Sequence, residues 1–415
     1  MYYGLDVHKD FIQVCQLSAD GRQRRDFSIP ATSTAIEAFA GTLTPADEVA
    51  VEVTFHTWAI YDRLTPHAGR VVAVNSMQVK AIASAKIKTD KVDAYTLAQL
   101  LRSDFLPAVQ MPSKEAWSLR QLVSHRRFLL KQQTATKNTV RSLLNRQLLP
   151  LPEGWTPFAE KTRQWMRKLP MPPAEQFMLQ NSLDLLEQIE MHVAKINEQL
   201  LCQARISEPV KLLMTIPGID LTVAIGFVAA IDDIDRFSGP QKLASYFGLV
   251  PRVRQSAGHC FCGPITKAGN STARALAIEA AQCLARSSSP LAATYYRVRN
   301  KRGHNVAVTA LARKLICLVW HILHNRQPYR YAPIPRTREK LLKVTAERDR
   351  SRSVPQTLEA VYAEAGLLPN TPATPGERRA AANNRRTITR LAKKSVNAKK
   401  GKKIRNQENS PLTNS

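Results

Sequence analysis

Residues 2–30 read YYGLDVHKDFIQVCQLSADGRQRRDFSIP, and the fold is decided here. Tyr2–Val7 is short and apolar, as a strand requires. Phe11–Leu17 leads to a turn signal, Ala19-Asp20-Gly21, and residues 24–29 run back. The pattern predicts an antiparallel meander of three strands. Working outward, the sequence predicts a helix over 32–43, a strand over 48–53, a helix over 57–66 and a strand over 70–75. A last helix opens near Asp90, with Asp90 as its N-cap, and runs through LAQLLRSDF.

A meander followed by alternating helix and strand is the order of an α/β RNase H-like domain, expected over residues 1–110. Asp6 then falls on the first strand and Glu52 on the fourth, where one sheet brings them close. Asp90 and Asp93 stand three apart on one helix and project to one side. Two-metal phosphoryl chemistry needs carboxylates that converge on two divalent ions ~3.5–4 Å apart. Mg²⁺ suits it, because it takes oxygen ligands and keeps waters that a substrate phosphate displaces. Taken singly, these acids read as a helix cap, a surface charge or a strand end. Their order and spacing together predict a metal site of Asp6, Glu52, Asp90 and Asp93.

Charge points to the substrate. The chain has 415 residues, with 60 Lys and Arg against 33 Asp and Glu, a net charge of +27. Residues 1–110 carry 11 basic and 12 acidic side chains, so the excess lies entirely in the remainder. Such a field attracts polyanions and releases their counterions, which makes nucleic acid the expected partner. The length predicts two or three domains. No apolar run was expected to reach the ~18–20 residues that cross a bilayer, and no leader is evident, so a soluble, cytoplasmic, nucleoid-associated protein without membrane contact is expected. Six scattered cysteines predict reduced thiols. His259-Cys260-Phe261-Cys262 has no second ligand pair at zinc-finger spacing and reads as loop thiols.

Residues 111–205 are helix-rich. Leu179, Leu183, Leu186, Ile189, Val193, Ile196 and Leu200 recur every three or four positions, as a coiled-coil seam requires. A proline-rich linker separates them from an earlier helix, which suggests a coiled-coil hairpin or, as the favoured reading, an intermolecular stalk. Residues 206–330 form a mostly α unit, in which Pro217-Gly218 resembles a helix-hairpin-helix turn or an ordinary corner between helices. Residues 331–415 end in a stretch, 371–415, with 12 basic and 2 acidic side chains and little periodicity, expected to be a disordered tail that grips phosphates.

GLDVHKD, VEVT and KIKTDKVDA resemble the DEDD motifs of a family of insertion-sequence transposases, the IS one-ten family, related to Piv-type DNA invertases. FGLVPRVRQSAGHCFCGPITKAGNSTARALAIEAA resembles the family's C-terminal transposase domain, with its G-L-x-P, Ser-x-Gly and I-T-K-x-G-N elements. The chain departs at Val53-Thr54-Phe55-His56, where the family has a Gly-rich continuation, and at Ala257, where it has glycine.

The resemblance implies a Holliday-junction-resolvase-like domain whose acidic tetrad holds Mg²⁺, and a Ser256 that attacks DNA to form a phosphoserine link. It also implies a guide RNA from the element's own ends, paired with donor and target DNA, and a dimer or tetramer. Ser256 sits in a polar loop beside Arg252 and Arg254, cations suited to a scissile phosphate. Lys267 and Arg274 are further candidate phosphate contacts, and Ser245 and Ser271 are lesser nucleophile candidates. A site-specific invertase, a nuclease using the tetrad alone, and a non-catalytic binding protein are the alternative functions.

Overall fold

A central strand, Tyr2–Val7, buried on both faces organises the N-terminal unit. The computed structural model describes residues 1–82, 89–204, 207–256, 259–344, 357–368 and 373–408, in two compact units, Met1–Pro112 and Ser113–Ser415. In the first, β1 (Tyr2–Val7), β2 (Phe11–Leu17) and β3 (Arg24–Pro30) form the meander, followed by α1 (Ser33–Ala40), β4 (Glu48–Glu52), α2 (Thr57–Leu64), β5 (Arg70–Val74), α3 (Ser76–Ile82), α4 (Asp90–Arg102) and a short β6 (Ala108–Val109). The sheet order is β3-β2-β1-β4-β5-β6. β1 pairs antiparallel with β2 and parallel with β4, whose partner β5 is also parallel.

Each face of the sheet is covered. Ile36, Phe39, Ile60 and Leu64 of α1 and α2 pack on Tyr3, Leu5 and Val7. Leu97 and Leu101 of α4 pack on Ala50, Val72 and Val74, while Ala94 and Ala98 meet Cys15 and Leu17. The N-cap of α4 is Thr89, whose side chain accepts from Val92 N; Asp90 is the first helical residue instead of the cap. Threonine and aspartate both cap well, so a Thr-Asp pair leaves the boundary open by one position.

The second unit opens with α5 (Lys114–Arg146), α6 (Glu160–Arg167) and α7 (Pro173–Ala204). α5 and α7 run antiparallel, tied by Arg126 to Asn197, Gln133 to Glu190 and Gln147 to Glu175. All seven seam residues, Leu179 through Leu200, are buried within the chain. This corrects the preference for an intermolecular stalk: periodicity reveals that a helix has a partner, and here α5 supplies it. The proline-rich stretch is folded too, with Phe158, Met166 and Leu169 joining the hairpin core.

α8 (Glu208–Met214), α9 (Leu221–Ile231), α10 (Pro240–Tyr246), β7 (Pro251–Ser256), β8 (His259–Ile265), α11 (Ser271–Ala285), α12 (Ala292–Arg302), α13 (His304–Asn325), α14 (Ile334–Leu342), α15 (Leu358–Glu364) and α16 (Pro375–Glu408) complete the unit. Pro217-Gly218 is the corner between α8 and α9, and flanking Ile216 and Ile219 are fully buried. Lys340 Nζ donates to both of their carbonyls, at 3.0 and 2.9 Å, so the turn faces the interior instead of a phosphate. Contrary to the sequence expectation, α13 is long and apolar enough to cross a membrane by length and composition. Its Leu311, Leu315, Ile316 and Val319 are core residues.

The tail also departs from expectation, because residues 375–408 are helical. Thr374 Oγ1 accepts from Glu377 N while Glu377 Oε2 accepts from Thr374 N, a reciprocal capping box. Ala, Arg and Lys dominate the run, and all favour helix. A composition that lacks an apolar stripe suggests disorder although its backbone propensity is high. Leu183→Ala is expected to cost ~2–5 kcal/mol by opening a cavity in the hairpin, and to leave the association state unchanged. Denaturant melts and light scattering check both.

Candidate metal centre and serine ribbon

Side chains on a strand alternate, so Gly4, Asp6 and His8 lie on one side of β1. On α4, Ala98, Ala94 and Asp90 are spaced by four and form one stripe. The two rows oppose each other. A Cβ on Gly4 would stand 2.0 Å from Ala94 O and 2.6 Å from Ala98 N, so only glycine admits the helix this close. One turn further along, the same contact line carries Asp90 over Asp6.

His8 joins these two acids. Its Nε2 lies 3.2 Å from Asp6 Oδ2 and 3.4 Å from Asp90 Oδ1. Ligand atoms of Asp6, His8 and Asp90 all lie within 4.8 Å of one another. β4 runs parallel to β1 with Val51 beside Leu5, so Glu52 arrives next to Asp6. Burial, then a hydrogen bond with Glu52, push the Asp6 carboxyl up to about 6; His8 opposes this, while the charges of Glu52 and Asp93 add to it. Of the four acids read from the sequence, Asp6 and Asp90 share one cluster with His8, Glu52 hydrogen-bonds to Asp6, and Asp93 acts on Asp6 through its charge. His8 was not among the residues read from the sequence, although its place two residues after Asp6, just past the end of β1, was a usable signal.

The donor set fits a hard divalent cation. Its carboxylates supply oxygens, and their crowding raises the proton affinity of Asp6, a strain that a cation relieves as the proton does. Beside it, Thr57 Oγ1 donates within the turn after Glu52 and accepts from Thr54 N, which leaves Phe55 fully exposed.

Ser256 lies in the second unit. It ends a strand, β7, and so the polar loop of the sequence reading is a two-stranded ribbon instead. Polar and apolar residues mixed on both faces hide strand alternation. Across the ribbon, Ser256 pairs with His259 and Arg254 with Phe261, which places these four on one face. Arg252 and Arg254 are exposed. Cys260 and Cys262 are exposed on β8, and among the described residues they belong to no ligand cluster.

Below the ribbon, the backbones of two motifs interlock. Gly248 has φ +66°, and a Cβ there would lie 2.2 Å from Ala268 O. Asn270 Oδ1 caps α11 by accepting from Thr272 N and Ala273 N. Lys267 is exposed at φ +55°. Its carbonyl accepts from Arg274 Nη1 at 3.0 Å, which commits part of that guanidinium to bracing the loop. Ser245 and Ser271 lie off the ribbon, on α10 and α11.

Comparison with known proteins accords with this arrangement. Residues 3–148 match a DEDD-type IS110 transposase domain, and residues 210–297 match a domain described as transposase, IS116/IS110/IS902 family. The chain belongs to the IS110 family of transposases. It is similar to a probable family 20 transposase from Pseudomonas aeruginosa, 25% identical over 340 residues, covering 79% of this chain and 94% of that protein. It is also similar to the transposase for insertion sequence element IS1111A from Coxiella burnetii, 26% identical over 249 residues, covering 59% and 68%. A pilin gene-inverting protein from Moraxella bovis is 24% identical over 278 residues, covering 66% and 76%.

Because the folded carboxyl of Asp6 titrates near 6 and an unfolded one at ~3.9, the folded state holds this proton more tightly. The stability it contributes is complete below ~4 and is lost as pH rises through ~6. Asp6→Asn is expected to remove that loss and to melt higher than wild type at pH 7.5 without metal. Divalent cation should raise the melting temperature of wild type, and of the variant far less. Thermal melts across pH, with and without Mg²⁺, check this.

Proposed function

We propose that this protein is a transposase that cuts and rejoins DNA through a phosphoserine intermediate. Its N-terminal unit would be an RNase H-like, Holliday-junction-resolvase-like domain. The observation that carries the reading is the convergence of Asp6, Glu52 and the first turn of α4 at one end of the sheet. Asp6, Glu52, Asp90 and Asp93, with His8 beside them, would hold Mg²⁺, which supplies charge stabilisation at the scissile phosphate.

Ser256 Oγ attacks phosphorus; the P–O bond to a deoxyribose oxygen breaks, and the leaving oxygen takes up a proton. In the second step a deoxyribose hydroxyl of the other duplex attacks the phosphoserine, and the serine oxygen regains its proton. No phosphodiester energy is lost, so no external energy source is needed. Arg252 and Arg254 offset charge on the phosphate, and Lys267 and Arg274 hold backbone nearby. Phe55 offers a ring on which a nucleobase stacks.

A guide RNA from the element, recognised by shape while base pairing selects sequence, fits a chain in which the sequence reading found no base-reading helix-turn-helix or zinc finger. Joining two duplexes calls for a dimer or tetramer. The similarity to pilin gene-inverting proteins favours one second reading, a site-specific invertase with the same chemistry.

Purified protein with Mg²⁺, flanking-region RNA and labelled donor DNA is expected to form a covalent adduct visible on a denaturing gel. Ser256→Ala and Asp6→Ala should lose it by at least ~100-fold, a typical cost of removing transition-state stabilisation, while binding persists. Cutting without an adduct would move Ser256 to a structural role and favour a nuclease using the acidic cluster alone.

A further inference from the structure

α16 lies beyond both matched segments of the chain, yet it is docked. Arg297 Nη2 donates to Asn384 Oδ1 at 2.9 Å, Arg330 pairs with Glu377 at 3.0 Å, and Ala381 is buried. Between α12, α13 and α16 this docking forms an open cleft of about 560 Å³. Arg297, Lys301, Arg302, Lys314 and Arg390 line it, with no carboxylate among the lining residues. A second cleft, of about 710 Å³, shares Arg302 and Lys314 and continues along α13 past Arg313 to Pro251 and Ile265. Those two residues are the root of the ribbon that carries Ser256. It too is lined without a carboxylate.

Six cations thus share one trough. Arg297 and Arg313 spend donors on neutral oxygens, and none of the six forms an ion pair among the described residues. Like charges gathered this way repel one another, and only an anion offsets them. A single small anion would answer one point of the trough, whereas its extent across two clefts suits a polyanion. Its apolar wall, including Val306 and Ala310, suits sugar and base edges.

We propose that the trough seats the sugar–phosphate backbone of the DNA arm adjoining Ser256, with α16 as its outer wall. The choice of DNA rests on the transposase reading above; the affinity for phosphodiester backbone does not. The cations give grip without sequence preference.

The test uses full-length protein and a fluorescein-labelled DNA duplex, with anisotropy read over a range of salt. Arg302→Gln/Lys314→Gln is expected to make the slope of log affinity against log salt shallower by about 2, and Arg390→Gln by about 1. The double variant should bind about tenfold or more weakly at moderate salt. Arg336→Gln/Lys343→Gln, an equal charge change at exposed residues of α14 and its C-cap, should retain the wild-type slope. Melting curves report folding, and Arg302→Lys/Lys314→Arg should restore binding where the charge alone matters.

Equal losses in the α14 control and the trough variants would overturn the proposal, as would an unchanged slope in the trough variants. A loss confined to an RNA duplex of the same sequence would overturn the assignment to DNA. The readout is binding alone, so an absent Ser256 adduct and an absent trough effect are separate results.

Discussion

The close seat of α4 on β1 is the constraint on which the acidic centre depends. Glycine at position 4 and alanines at 94 and 98 remove the side chains that would hold helix and strand apart. The contact fixes the height and register of a helix whose first turn bears two carboxylates, so that a packing requirement at one end of α4 becomes a chemical geometry at the other. Desolvated carboxylates repel, and a loosely packed helix would relieve that repulsion by drifting away. The small-residue contact, with Leu97 and Leu101 buried beside it, keeps the acids together at the cost of the raised proton affinity of Asp6.

The chain divides its charge accordingly. Residues 1–110 are nearly neutral, with acids turned toward one point, and the remainder carries the cations. A uniformly basic protein would hold nucleic acid everywhere with similar strength. Here the cations belong to the larger unit and the acidic cluster to the smaller one, and a bound cation would reconcile that cluster with a phosphate.

Much of this was legible in the residues. Tyr2–Val7 and its neighbours read as strands because apolar runs between turn signals have few other solutions, and the antiparallel meander followed; the full sheet order and the short β6 did not. Asp6, Glu52, Asp90 and Asp93 could be placed because strand order and helical spacing are local properties. Other features depend on tertiary context. The Leu179–Leu200 seam showed that α7 has a partner but carried no mark of whether that partner is the same chain. β7 and β8 mix polar and apolar residues on both faces, so no alternation marks them. The tail's helix rests on backbone propensity and a capping box, which a reading centred on apolar periodicity passes over. His8 is not an acid and lies just past the end of β1, so carboxylate spacing does not mark it, although it follows Asp6 by two residues.

The ribbon extends from the core of the larger unit, against which Ile265 at its root packs. Val253 and Phe261 are large apolar side chains left largely in solvent, on opposite faces. Two strands without a sheet or helix over either face hold their shape mainly by their own ladder, and such structures are marginal in water. A duplex laid against the ribbon would supply the missing layer. On the proposed reading, part of the free energy of engagement would go into stiffening the arm, so the Ser256 hydroxyl at its end would be least well aimed when nothing is bound and best aimed under load. Restraint against stray chemistry would then lie in the mechanics of the arm itself.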